Sequence, residues 1–170
     1  FARALGLPDD LEAALEVVRS GRPRPVTLGR ANGVHFVEVA AVGVFGELLA
    51  AGEALKELSF GRLGEALAGL ATSSRFRYRI SGDAIRSGSA RTLIAANTPT
   101  VGANLGIGEN TPLESYLELA LPGRRMPLRF RRLRVETDPV VRVYADLADV
   151  GATPAEIEAV PGGLMVILAA

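Results

Sequence analysis

The 170-residue chain has no cysteine, no tryptophan, one histidine and one lysine. Without cysteine it can form no disulfide, hold no thiolate-bound metal and use no cysteine nucleophile. One histidine excludes metal sites built on two imidazoles. His35 sits at the start of a strand pattern, where a packed or half-exposed side chain is the simpler reading than a catalytic one. Net charge is absent too, with 19 basic against 19 acidic residues, so neither disorder nor a polyanion-binding protein is suggested. Lys56 is the one lysine, so arginine carries the basic charge. GC-rich codon usage accounts for that, while the functional reading is planar, bidentate contact with phosphate or carboxylate. Long apolar runs are missing as well. Phe36 to Leu49 is interrupted by Glu38 and several glycines and is too short to span a bilayer. The composition reads as a soluble, cytosolic protein or one resting on a membrane surface.

What is present is a sequence of short elements with regular punctuation. Phe1 to Leu5 reads as the last turns of a helix, stopped by Gly6 and Pro8, which makes the chain read as a piece of a longer protein. Asp9 or Asp10 can cap a helix through Arg19. Val26 to Leu28 and Val34 to Val42 read as strands around an Asn32-Gly33 turn. Glu47 to about Leu70 reads as helical, with Leu63, Leu67 and Leu70 on one stripe and a break near Phe60. From Ser74 the period changes to two, with Phe76, Tyr78 and Ile80 on one face.

Further strands are expected at Thr92–Ala96, Leu113–Ala120, Pro127–Glu136, Val140–Ala145, Glu156–Val160 and Leu164–Leu168. Turns fall between them, among them Pro161-Gly162-Gly163. The pattern predicts a single mainly β domain of the α+β class. Its architecture is an antiparallel β-sandwich decorated by two or three N-terminal helices.

Few catalytic constellations can be assembled. No G-x-S-x-G elbow supports a Ser-His-Asp triad. Gly102 to Gly108 is glycine-rich but lacks the G-K-[ST] ending of a phosphate loop and the G-x-G-x-x-G spacing of a dinucleotide fingerprint, so it reads as an inter-strand loop. Arg124, Arg125, Arg129, Arg131, Arg132 and Arg134 form the densest positive cluster. If Arg131-Arg132 forms a bulge, Leu128, Phe130, Leu133 and Val135 share one face and the arginines line the other. Such a face is either plainly solvated or in contact with anionic lipid headgroups. Glu109, Glu114 and Glu118 bracket one loop and strand. Asp146 follows Val141 to Tyr144 and precedes an Asp149-Val150-Gly151 turn, where a carboxylate can be presented into a cleft.

Several segments together resemble a known family. They are Phe1-Ala2-Arg3-Ala4-Leu5-Gly6-Leu7-Pro8, Leu28-Gly29-Arg30-Ala31-Asn32-Gly33, Val39-Ala40-Ala41-Val42-Gly43 and Ala96-Asn97. Arg131 to Glu136, Thr153-Pro154 and Val160-Pro161-Gly162-Gly163-Leu164 continue the series. In this order they resemble bacterial diacylglycerol kinase-like lipid kinases, the group that includes sphingosine kinases.

The resemblance implies a two-domain enzyme. One domain binds ATP, and its G-T-G-N-D segment runs into F-A-R-A-L-G. The other is the β-rich lipid-side domain that this chain matches. It further implies that Asp146, on the D of a D-G-E turn, accepts or orients the lipid hydroxyl proton. Glu114 keeps one acid of an L-D-D-G-x-L-D segment that holds a structural Mg²⁺. Leu147 and Ala148 replace the G and E, Leu113 replaces another acid, Ser115 the glycine, and Gly46 stands for an acid of G-F-D-A. Implied cofactors are ATP and Mg²⁺. The implied partner is a lipid substrate; the arginine cluster adds an anionic membrane face, a second copy of the chain is a further expected partner, and no nucleic acid is expected. The rival readings are a non-catalytic lipid-binding or regulatory homologue and, more distantly, an NAD kinase-like relative.

Overall fold

The computed structural model of the chain describes residues 1–46, 74–101, 105–121 and 126–169. The helix expected over Glu47 to Leu70, with its leucine stripe, lies outside the described residues, as do Lys56, Arg124 and Arg125. The opening residues form one 3₁₀ turn, Arg3–Leu5, which Gly6 ends at φ 69° with its N–H donating to Arg3 O. The first α-helix, α1, spans Leu11–Ser20. Of the two candidate caps Asp10 is the one used: its carboxylate accepts from Ala13 N at 2.8 Å, satisfying one of the helix's orphan donors. Leu11, Leu15 and Val18 on α1 stay exposed. Among the described residues no helix is long and apolar enough to cross a membrane.

The strands follow in chain order. They begin with β1 (Arg22–Ala31), β2 (Val34–Phe36), β3 (Val39–Gly43), β4 (Phe76–Gly82), β5 (Arg86–Ala90) and β6 (Thr92–Ala96). Next come β7 (Thr100–Val101), β8 (Leu105–Gly106), β9 (Leu117–Ala120) and β10 (Leu128–Phe130). The last four are β11 (Arg132–Asp138), β12 (Arg142–Ala145), β13 (Ala148–Ala152) and β14 (Ala155–Leu168).

Two six-stranded sheets result, ordered β2-β1-β14-β11-β4-β5 and β10-β9-β6-β3-β12-β13, with β7-β8 a small ribbon beside them. Neighbouring strands pair antiparallel, as in β1–β14, β11–β4 and β3–β6. The expected sandwich is therefore the fold. Ile80, Leu133 and Ile157 of the first sheet meet Leu93, Leu117 and Val143 of the second in one buried core. Each such side chain contributes roughly 1.5–3 kcal/mol on burial. All five residues of β3 are buried, because the outer face of the second sheet is also covered, with Phe45, Ile107 and Ala120 packed over Val39, Ala41, Ile94 and Ala96.

Three expected boundaries move. Pro161-Gly162-Gly163 does not turn the chain: β14 runs straight through it, and the register slips from Val26↔Leu164 to Leu28↔Val160. The three residues bulge out opposite Thr27, with Gly162 at φ 70°. A bulge accepts proline because no ladder N–H is required of it. The expected strand Leu113–Ala120 shortens to Leu117–Ala120, since the 112–114 bend instead docks on β1. There Thr27 N donates to Pro112 O and Thr27 Oγ1 donates to Glu114 O. Asp149 to Gly151 is not a turn but part of edge strand β13, and the turn is Asp146-Leu147.

The expected irregularity at Arg131-Arg132 is a change of sheet. β10 ends in the second sheet, β11 begins in the first, and Phe130 and Leu133 both point into the shared core. Asp83 stabilises the crossing, accepting from Arg131 N at 2.7 Å and Arg132 N at 3.0 Å. Those two amides hold its carboxyl below the usual carboxylate range. A carboxyl depressed in the fold stabilises it above the unfolded-state value, and that contribution is lost as pH falls through the folded one. Below about pH 4 the chain is therefore expected to lose stability through Asp83. Asp83→Asn should flatten that part of a Tm-against-pH curve, and an unchanged slope would refute the assignment.

Candidate functional site

Asp146 opens the two-residue connection between β12 and β13, where Ala145 faces Ala148. Its φ is 49°, left-handed backbone that aspartate and asparagine tolerate better than most residues. From there the half-buried carboxylate reaches the link between β2 and β3. Oδ2 accepts from Val37 N at 2.9 Å, and Oδ1 accepts from Glu38 N at 3.0 Å and Val39 N at 3.1 Å. In return Asp146 N donates to Val39 O at 2.7 Å. The carboxylate is thus locked in one orientation. Of its roughly four acceptor directions three are taken, leaving one for another donor.

Asn97, wholly buried at the end of β6, grips the same link from the other side. Asn97 N donates to Glu38 O at 2.8 Å, and its side-chain amide donates to Val37 O at 3.1 Å and Thr27 O at 2.8 Å. Its Oδ1 is buried with no protein donor. The sequence offered Asn97 only as a matched position; its role as a clamp depends on long-range contacts that no local pattern encodes.

A second polar centre lies around Glu118. Its side chain is only 2% exposed. Oε2 accepts from Glu109 N at 2.8 Å and Asn110 N at 3.2 Å, and Oε1 accepts from Arg129 Nε at 3.2 Å. The Arg129 guanidinium also stacks 4.9 Å from the centre of the Tyr116 ring, a cation–π contact. Burial pushes the Tyr116 hydroxyl above its ordinary range; Arg129 opposes that, while Glu114, Glu118 and Glu109 reinforce it. Asn110 donates in turn to Ala96 O, one residue from Asn97. A string of contacts thus runs from Asp146 through the 37–39 link, Asn97 and Asn110 to Glu118. Beside Glu118 and Arg129 lies a cleft of about 490 Å³ walled by Ile107, Pro127 and Leu128.

Glu114, the residue expected to keep a metal charge, sits exposed on the 112–114 bend. Among the described residues no three acidic or histidine side chains converge as a metal site. Mg²⁺ demands near-octahedral oxygen ligation, and Glu118 is ringed by N–H donors instead. Among the described residues, those around Glu114 and Glu118 do not fit a bound divalent cation.

The arginine cluster is divided by the sheet change. Arg129 projects from β10, and Arg131 Nη2 donates to Ser115 Oγ at the crossing. Arg132 and Arg134 stand on the outer face of the first sheet. There Arg134 pairs with Glu136 at 3.2 Å and Glu156 at 3.0 Å, while Arg132 lies 3.6 Å from Glu156. Exposed pairs of this kind contribute about 0–1 kcal/mol, but they offset much of the positive charge there. His35 is exposed on the edge strand β2.

No protein-family model matches the chain. Among curated proteins, the diacylglycerol kinase of Bacillus subtilis strain 168 is 43% identical over 49 residues, which is 28% of this chain and 16% of that protein. Among solved structures, a diacylglycerol kinase from Bacillus anthracis strain Sterne superposes with a TM-score of 0.73 at 21% identity, covering 99% of this chain and 61% of its own. A second structure from that strain, provisionally described as a diacylglycerol kinase, gives a TM-score of 0.76 at 20% identity, with 99% and 63% covered. The chain therefore spans about three-fifths of the length of these structural neighbours. The resemblance to diacylglycerol kinases is borne out, locally in sequence and across nearly the whole chain in fold.

Proposed function

We propose that this chain is the lipid-side domain of an ATP-dependent lipid kinase, with Asp146 accepting or orienting the hydrogen of a diacylglycerol-like hydroxyl. The observation that carries the reading is the Asp146 carboxylate itself, held by three backbone amides with one acceptor direction left. Strained, over-determined residues of this kind gather at functional sites. A hydroxyl donated to the remaining direction would meet a base that needs no reorientation.

One further feature supports the reading. The apolar wall of the cleft beside Glu118 suits part of an acyl chain. ATP would carry its own Mg²⁺ to the reaction, and that ion's chemistry is neutralisation of the phosphate charge. Contact with an anionic membrane belongs to the same proposal, although Arg132 and Arg134 enter it already paired.

The experiment is radiolabelled phosphate transfer from ATP to diacylglycerol micelles. The protein at its natural length should transfer and these 170 residues alone should not, because they contain no phosphate-cradling loop. Transfer by the 170 residues alone would overturn that division of labour. A second reading, a lipid-binding homologue without catalysis, is favoured by one observation: Leu147 and Ala148 replace the G and E of the family turn. A natural-length protein that binds diacylglycerol but never phosphorylates it would establish that alternative.

A further inference from the structure

We infer that the Glu118–Arg129 pair is a built-in replacement for a divalent cation, so that this domain folds with no metal where the resembling family holds its structural Mg²⁺. The inference rests on the family resemblance used above, but its evidence is the geometry of Glu118.

A buried carboxylate must be neutralised or fully hydrogen-bonded. Glu118 meets both needs from within the chain. Two amides from the 106–110 loop take Oε2, and the Arg129 guanidinium takes Oε1. The loop closes directly on the carboxylate: a Cβ on Gly108 would overlap Glu118 Oε2 outright. A metal ligated there at about 2.1 Å would have to displace donors whose hydrogens already point at the oxygens.

Charge balance points the same way. Exchanging a doubly charged ion for a singly charged guanidinium leaves one carboxylate in excess, and the segment has one acid fewer, Leu113. Arg129 is also held in place, since its plane rests on Tyr116 while its Nε faces Glu118. The guanidinium therefore does what an ion would do, tying the 106–110 loop to β9 and β10. Arginine keeps its charge throughout the physiological range and cannot be chelated. If the kinase reading holds, the divalent requirement of the reaction then belongs to the nucleotide alone.

Thermal melts of the chain in EDTA and in about 10 mM MgCl₂ test this. A structural site filled at 100 times its Kd would raise Tm by roughly 5–10 °C. The wild-type chain is expected to melt within about 1 °C in the two buffers. Arg129→Gln should melt several degrees lower in EDTA, and Arg129→Lys, which keeps a cation for Glu118, should fall between the two. A wild-type Tm at least about 5 °C higher in Mg²⁺, or one Mg²⁺ retained per chain on dialysis, overturns the inference. So does an Arg129→Gln chain as stable as wild type. If Arg129→Gln fails to fold, the lysine variant carries the comparison, and its melting below wild type only in EDTA would again implicate a metal. Failure of lipid phosphorylation with these melts as expected would remove the kinase reading and leave the metal inference standing.

Discussion

Replacing Glu118 with alanine is expected to cost about 3 kcal/mol of stability. The loss has three sources. Glu109 N and Asn110 N lose their acceptor, the latter in a buried residue, and a cavity opens under the 106–110 loop. Arg129 is itself more than half exposed and can return to water, so its stranded charge adds little. For a domain of this size, Tm should fall by roughly 6–12 °C, read by circular dichroism. Glu114→Ala is the control. Its carboxylate is exposed and no hydrogen bond is shown for it, so Tm should move by no more than about 2 °C. A Glu118→Ala chain that melts with the control would show that the buried pair does not hold the loop.

Asp146→Asn should separate the anchoring of the 37–39 link by this side chain from its proposed role as base. Asparagine tolerates the left-handed φ of 49°. Its carbonyl oxygen can still accept from Glu38 N and Val39 N, as Oδ1 does now. The amide nitrogen, however, would face Val37 N, donor against donor, where Oδ2 now accepts. The expected cost is about 1–2 kcal/mol, or roughly 2–8 °C in Tm, with the fold retained. Alanine would lose three acceptor contacts and gain backbone strain, so it is the wrong variant for kinetics. As a proton acceptor the asparagine is useless, and a lost general base lowers turnover by about 10²- to 10⁴-fold. Stability and turnover are therefore predicted to move by very different amounts.

Much of the sandwich was legible because its signals are local. Alternation of Phe76, Tyr78 and Ile80 marks β4, and Asn32-Gly33 marks the β1–β2 hairpin, with φ values of 48° and 85°. Asp146 at a strand end was legible for the same reason. What escaped depends on distant partners. Apart from Arg86 and Val150, edge strands Arg86–Ala90 and Ala148–Ala152 are built from serine, glycine, alanine and aspartate, poor strand formers that their neighbours recruit.

Glu118 alternates with Leu117 and Leu119 and reads as an outward charge. It is buried only because the 106–110 loop covers that face. Its pairing with Arg129 requires β9 and β10 to be neighbours, which spacing alone cannot state. Contiguity in sequence also hid the change of sheet that places Arg129 on β10 of the second sheet and Arg132 and Arg134 on β11 of the first.

The most direct test of the central claim is phosphate transfer from ATP to diacylglycerol by the natural-length protein, wild type against Asp146→Asn, with melts on the same preparations. The account predicts transfer by wild type and a folded variant whose kcat is lower by about 10²- to 10⁴-fold. A folded Asp146→Asn protein with kcat within about threefold of wild type would contradict it and leave Asp146 as an anchor only.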